Sequence, residues 1–235
     1  MPAPLSVVIP TLNSANALPE TAEALLSGAT SGLIRELVVS DGGSSDRTRD
    51  IAKELGAVWL EGPKGRGGQI GRGVAASGGD WVLVLHADTH LSENWDAVAR
   101  AHMNRGEARA GYFGLQFRAT GIAASLVAAG ANFRGRIFGL PYGDQGLLIS
   151  RSLLDSVGGV PDIPLMEDVE LARRLKGKLE RLDGWAMTSA ERYQTDGLGR
   201  RVFRNLRTLV RYRFGAAPED LVAGYESRPD HSSEN

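Results

Sequence analysis

Five short segments carry the side chains that can do chemistry. Two aspartates, in Val39-Ser40-Asp41-Gly42-Gly43-Ser44 and in His86-Ala87-Asp88-Thr89, each follow a β-branched apolar run. A carboxylate placed there can cap the next helix, accept hydrogen bonds from a nucleotide or, at Asp88, ligate a hard cation. His86 can touch a ribose, ligate a metal ion or hydrogen-bond within the end of the sheet. Between the two aspartates, Lys64-Gly65-Arg66-Gly67-Gly68-Gln69-Ile70-Gly71-Arg72-Gly73 sets three cations among glycines. Glycine lets the backbone approach phosphate closely and fixed positive charge favours a diphosphate; the plainer reading is a surface loop. Tyr142-Gly143-Asp144-Gln145 offers polar groups for acceptor or sugar hydroxyls, or else a polar turn entering a strand. Finally, Glu167-Asp168 opens a helical run. Acids there complement the helix dipole, and a carboxylate buried beside another acid can also take a proton.

The elements that must position these residues alternate. Residues 5–9 read as a strand, 17–26 as a helix, 36–40 as a strand, 44–55 as a helix and 57–60 as a strand. The glycine-rich loop then runs into a helix and the strand at 81–85. This order predicts an α/β domain with a mostly parallel central sheet flanked by helices, its ligands lying beyond the carboxyl ends of the strands where Asp41 and Asp88 fall. Farther on, a helix is expected at 122–131, an Arg/Gly loop at 134–139, a strand at 146–150, a Pro/Gly loop at 157–164 and a helix running to about residue 175. Residues 200–214 read as a basic amphipathic helix. Of its two readings, packing its apolar side on the domain is preferred over resting on anionic lipid. The whole reads as one domain over residues 1–227, with a donor half at 1–95, an acceptor half at 96–227 and a disordered tail at 228–235.

Composition narrows the chemistry. The 27 Lys and Arg nearly balance 28 Asp and Glu, so no global field points to a nucleic-acid partner. The absence of cysteine removes disulfides, thiolate metal sites and a cysteine nucleophile, leaving oxygen or imidazole to hold any metal, as suits Mg²⁺ or Mn²⁺. With no secretory pattern at the N-terminus and no apolar stretch long enough to span a bilayer, a cytoplasmic location is expected, with peripheral contact at the inner membrane face as the one open membrane role.

The segments around Pro10, Thr11 and Asn13, around Asp41, at His86-Ala87-Asp88 and at Met166-Glu167-Asp168 resemble family 2 glycosyltransferases of the GT-A fold. The block Pro141-Tyr142-Gly143-Asp144-Gln145 is most similar to a subgroup of small soluble bacterial members. The resemblance runs from about residue 5 to 175. It implies an enzyme that transfers a sugar, with inversion, from a nucleotide diphosphate-sugar such as a UDP-sugar to a hydroxyl acceptor. It further implies donor contacts from Pro10, Thr11, Asn13, Asp41, Gly65, Arg66, Gln69, His86 and Asp88, with Asp88 also holding a divalent Mg²⁺ or Mn²⁺. Acceptor contacts are implied for Tyr142, Asp144 and Gln145. Asp168 takes the role of catalytic base, with Glu167 beside it. The chain departs from the pattern at Ser14, where many relatives carry Glu, and at His86, which replaces the first acid of an acid-any-acid triplet. Two rival readings remain: a sugar nucleotidyltransferase, which would release pyrophosphate, and a noncatalytic nucleotide-sugar-binding protein of the same fold.

Overall fold

The computed structural model describes residues 3–118, 122–188, 198–218 and 220–221; the tail expected at 228–235 lies outside them. Its centre is an eight-stranded sheet in the order β3-β2-β1-β4-β7-β6-β8-β5. The strands are β1 (Leu5–Thr11), β2 (Ile34–Asp41), β3 (Val58–Glu61), β4 (Trp81–Val84), β5 (Thr89–Leu91), β6 (Ala110–Phe117), β7 (Leu147–Ser150) and β8 (Leu179–Thr188).

In the first half, β3, β2, β1 and β4 run parallel. Beyond β4 the sheet changes character: β7 is antiparallel to both β4 and β6, β8 is parallel to β6, and β5 is antiparallel to β8. The sheet is therefore mixed, and its mostly parallel description holds for β3, β2, β1 and β4. β6, β8 and the short β5 were not foreseen, because the argument from alternating helices and strands stops where strands begin to pair without a helical crossover.

The central strands are buried on both faces, so their sequences are continuously apolar. Alternate residues feed two cores. Val7, Ile9, Leu83 and Leu85 join Leu18, Leu25 and Trp95 on one face, while Val8, Val82 and Val84 join Ile70, Val74, Leu171 and Leu175 on the other. The helices are α1 (Leu18–Glu23), α2 (Leu26–Thr30), α3 (Thr48–Glu54), α4 (Arg66–Ala76), α5 (Trp95–Met103), α6 (Ile122–Phe138), α7 (Arg151–Ser156), α8 (Glu167–Arg174) and α9 (Leu198–Arg213). A 3₁₀ turn covers Gly143–Gln145.

Several helical expectations change. The single helix expected at 17–26 is two short ones. The Arg/Gly segment at 134–138 continues α6 instead of forming a loop. Most of the glycine-rich loop is helix α4, entered through Gly65 at φ 146°. Gly67 and Gly73 serve close packing. A Cβ at Gly73 would lie 2.4 Å from Val8 Cγ1 on β1, and one at Gly67 would lie 2.2 Å from the Pro161 carbonyl. Helix α4 thus sits tightly between the sheet and the loop that leads to α8.

Among the described side chains of α9, the apolar row is only partly covered, where full packing on the domain was expected. Thr208 is buried, and Leu209 and Tyr212 half-buried, whereas Leu206, Val210 and Phe214 face outward. Among the described residues, no helix is long and apolar enough to cross a membrane.

Candidate active site

The carboxyl ends of β1, β2 and β4 deliver Thr11, Asp41 and His86 to one edge of the sheet. Asp41, 1% exposed, is fully engaged there. Thr11 Oγ1 donates to its Oδ1 at 2.7 Å and Ser44 Oγ at 2.5 Å, while the amides of Gly43 and Ser44 donate to Oδ2 at 2.8 and 2.6 Å. Asn13, at φ 51°, joins the same loop: its amide donates to Ser44 Oγ and its Oδ1 accepts from the Ser45 amide. Gln69 of α4 fastens the arrangement from beneath, its Nε2 donating to the Thr11 carbonyl at 2.7 Å and the Ser40 carbonyl at 3.1 Å, and its Oε1 accepting from the Gly65 amide. Arg72 donates to the Asp41 and Pro63 carbonyls. Of the residues implied to touch the donor, Gln69 and the Asp41 carboxylate therefore spend their hydrogen-bonding capacity inside the protein and shape the loops that surround the space. Pro10 sits in β1 between them, half-buried.

The second cluster forms where the 3₁₀ turn meets α8. The Gly143 amide donates to Asp168 Oδ2 at 2.8 Å, and the Val169 amide donates to Asp168 Oδ1 at 2.8 Å. Gly143 lies against the His86 ring: a Cβ there would stand 2.6 Å from His86 Nε2, so a larger residue would have to displace the imidazole. That contact brings the end of β4 and the start of α8 together. Met166, which precedes α8, holds the left-handed conformation at φ 68°; strain of this kind in a non-glycine residue collects at functional sites. Tyr142 is covered by the Arg134 guanidinium, 3.4 Å from the ring centroid. Arg134 was visible in the sequence only as part of an expected loop, and no local pattern announces its stacking.

Gln145 departs from its expected role. It is fully buried, its Nε2 donates to the Phe113 carbonyl at 3.1 Å, and its Oε1 accepts from the Tyr142 amide. It braces the turn and has no face left for an acceptor.

The acids of this cluster are electrostatically loaded. Glu167 is 2% exposed, and burial pushes its pKa from 4.5 up to about 7; Asp168 adds to the rise, while Arg66, whose Nη1 lies 3.4 Å from Glu167 Oε1, opposes it. Asp144 is raised from 3.8 to about 6, first by burial and then by the charges of Asp168 and Asp88, against the pull of Arg134 and Arg66. Its Oδ1 is sealed from solvent and has no hydrogen-bond partner among the described residues. A divalent ion fits this donor set. Asp88 and Asp144 offer hard carboxylate oxygens whose mutual repulsion a cation would relieve. No three His, Asp or Glu side chains among the described residues form a complete cage, so phosphate oxygens and water would have to finish the coordination. A cavity of about 50 Å³ adjoins the acids, lined by His86, Tyr142, Gly143, Glu167 and Asp168 together with apolar side chains of α4, β4 and α8.

Comparison with known proteins bears on the fold and the family. Residues 6–119, just under half of the chain, match the family model described as glycosyl transferase family 2. A PGL/p-HBAD biosynthesis glycosyltransferase of Mycobacterium bovis is 37% identical over 115 residues, which is 46% of this chain and 44% of that protein. The chain thus spans less than half the length of the curated relatives it matches first. Among solved structures, glucosyl-3-phosphoglycerate synthase from Mycobacterium tuberculosis, in complex with Mn²⁺, uridine diphosphate and phosphoglyceric acid, superimposes with a TM-score of 0.57 at 23% identity, covering 76% of this chain and 67% of that one. S. aureus TarS 1–349 in complex with UDP-GlcNAc gives a TM-score of 0.61 at 17% identity, covering 79% of this chain and 58% of that one. These likenesses establish the GT-A fold.

Proposed function

We propose, from the match of residues 6–119 to the glycosyl transferase family 2 model, that the chain is an inverting glycosyltransferase that moves a sugar from a nucleotide diphosphate-sugar, of the UDP-sugar type, to a hydroxyl acceptor. The observation that carries this reading is the Gly143 contact, which joins the His86 end of β4 to Asp168 at the start of α8. One small space is thereby lined by His86 beyond β4 and by Asp168, with Glu167 of its wall lying 3.4 Å from the Arg66 guanidinium.

In this reading the Asp41 and Asn13 loops enclose the nucleotide. Arg66 faces the diphosphate and Tyr142 and Asp144 face the acceptor. Asp88, with Asp144 beside it, would hold Mg²⁺ or Mn²⁺, which supplies positive charge to the departing diphosphate when bound. Asp168 is half-buried and reaches the cavity, oriented by two backbone amides. It takes the proton of the acceptor hydroxyl as that oxygen forms its bond to the anomeric carbon. The bond from the anomeric carbon to the diphosphate oxygen breaks with its electron pair passing to that oxygen. Arg66 stabilises the charge developing there. One displacement inverts the configuration. Glu167, buried against Arg66, sets the position of that cation. The reaction belongs to the cytoplasm in this reading, with the chain free or resting on the inner membrane face.

Calorimetric titration with UDP, with and without Mn²⁺, tests the donor assignment. UDP binding should depend on Mn²⁺ in the wild-type chain, and Asp88→Asn should lose most of that dependence. Metal-linked affinity unchanged by the substitution would remove Asp88 from the metal site.

A further inference from the structure

Outside the site, α6 and α9 together make an exposed surface. On α6, Leu126, Gly130, Phe133 and Ile137 fall on one exposed stripe at helical spacing, with Phe138 exposed at its end; Leu126 and Phe133 are 67% and 60% exposed. Helix α9 packs beside α6 and turns Leu206, Val210 and Phe214 outward, the last 87% exposed. Single exposed apolar residues are ordinary, but two neighbouring helices with apolar outer rows mark an interaction surface.

Charge decides what that surface meets. The two helices contain eight arginines and no acidic residue, while the other 19 Lys and Arg are set against all 28 Asp and Glu. A chain with a net charge of −1 has thus gathered positive charge on a pair of helices that also expose Leu126, Phe133, Ile137, Leu206 and Val210. Arg136, Arg207 and Arg211 are exposed beside the apolar rows. Pairing of this face with the same face of a second copy would bring arginine against arginine across the symmetry axis. An anionic bilayer presents the complementary combination: headgroup phosphates for the guanidinium groups and an acyl boundary for Phe133, Ile137 and Phe214.

We infer that the α6–α9 face docks the protein on the surface of an anionic lipid bilayer, lying in the interface without crossing it. The helices also touch the walls of the site. Arg134 of α6 covers Tyr142, and the Tyr212 hydroxyl of α9 donates to Glu170 of α8 at 3.3 Å. Docking would therefore set the Tyr142 side of the site beside the membrane. The inference does not rest on the proposed transfer reaction.

The test is co-sedimentation with vesicles of phosphatidylcholine alone and of phosphatidylcholine mixed with phosphatidylglycerol. The full chain should bind the mixed vesicles, weaken as salt rises, and leave pure phosphatidylcholine largely unbound. Arg207→Gln with Arg211→Gln, and separately Phe133→Ser with Ile137→Ser, should each lower affinity for mixed vesicles roughly tenfold or more. Both pairs are exposed, and circular dichroism melts together with UDP titration should match wild type, which separates a docking failure from a donor-site failure. Because the chain has no cysteine, Phe214→Cys can carry a polarity-sensitive fluorophore at one site; its emission should shift to shorter wavelength on mixed vesicles. Failure to sediment with mixed vesicles overturns the inference, as does binding that neither pair of substitutions reduces. A concentration-dependent dimer lost in the Phe133→Ser, Ile137→Ser chain would show that a second copy covers this face instead.

Discussion

Asp41 and Glu167 are buried to nearly the same degree, 1% and 2% exposed, yet they live in opposite circumstances. Asp41 ends a central parallel strand and receives four hydrogen bonds from Thr11, Gly43 and Ser44. Its burial is fully compensated. Glu167 begins α8 among apolar side chains, near Asp168, with Arg66 in reach at 3.4 Å, and its pKa rises to about 7. The first half of the chain therefore uses a buried acid to organise loops, whereas the second half stores electrostatic tension in one. Burial alone does not separate framework from machinery. What separates them is whether the surrounding structure satisfies the charge.

The comparison breaks most sharply at Asp168. If the acceptor-side acids are the machinery, Asp168→Asn should keep donor affinity and lose transfer by about 10²–10⁴, the scale for removing a general base. The measurement is the rate of nucleoside diphosphate release with an accepted donor–acceptor pair. Wild-type transfer by Asp168→Asn, together with an inactive Glu167→Gln, would exchange the two roles.

Stability should divide the two buried acids in opposite directions. Asp41→Asn turns an amide towards the Gly43 and Ser44 donors or the Thr11 hydroxyl, and should cost about 2 kcal/mol in urea denaturation. Glu167 works the other way. Its folded pKa lies above its unfolded value, so the folded state binds the proton more tightly. Stability is unpenalised below about pH 4.5, falls as pH rises towards about 7, and stays lower above that. A displacement from 4.5 to about 7 corresponds to an upper bound of about 3 kcal/mol. Glu167→Gln should therefore be more stable than wild type at pH 8, less so at pH 5, and its stability should vary less between the two. A variant destabilised equally at both pH values would mean that the Arg66 contact outweighs desolvation.

The smallest effects bear on the glycine-rich segment. As a helix packed on β1, it predicts that Gly73→Ala costs about 1–3 kcal/mol through its 2.4 Å approach to Val8. Gly71→Ala, with nothing within 4 Å of the added methyl, should stabilise by about 0.5–1 kcal/mol. Thermal melts of the pair distinguish this from a phosphate loop, in which neither substitution would follow that pattern.

Much of the first half was legible in the amino-acid order because its information is local. A β-branched run, a turn with Asp41 or Asp88, and a helix between strands each announce themselves within about ten residues, and parallel pairing follows from their alternation. The glycines at 67 and 73 were legible as unusual, but not as packing glycines. Their meaning lies in Pro161 and Val8, remote in sequence and adjacent in space.

The second half was decided by tertiary contact. The sequence alone marked Glu167-Asp168 as an acid pair at a helix start and Pro141-Tyr142-Gly143-Asp144-Gln145 as a polar block. It did not say that Gln145 turns inward to the Phe113 carbonyl, that Arg134 covers Tyr142, or that Gly143 donates to Asp168. Nor did it say which side of α9 faces solvent, since a helical period specifies a stripe and only the neighbouring element determines whether the stripe is covered. Local order determined which chemistry the chain could carry, because residue type and period act over short range. Which carboxylates are satisfied and which are held under tension depended on partners brought together by the sheet, because desolvation and charge act through space.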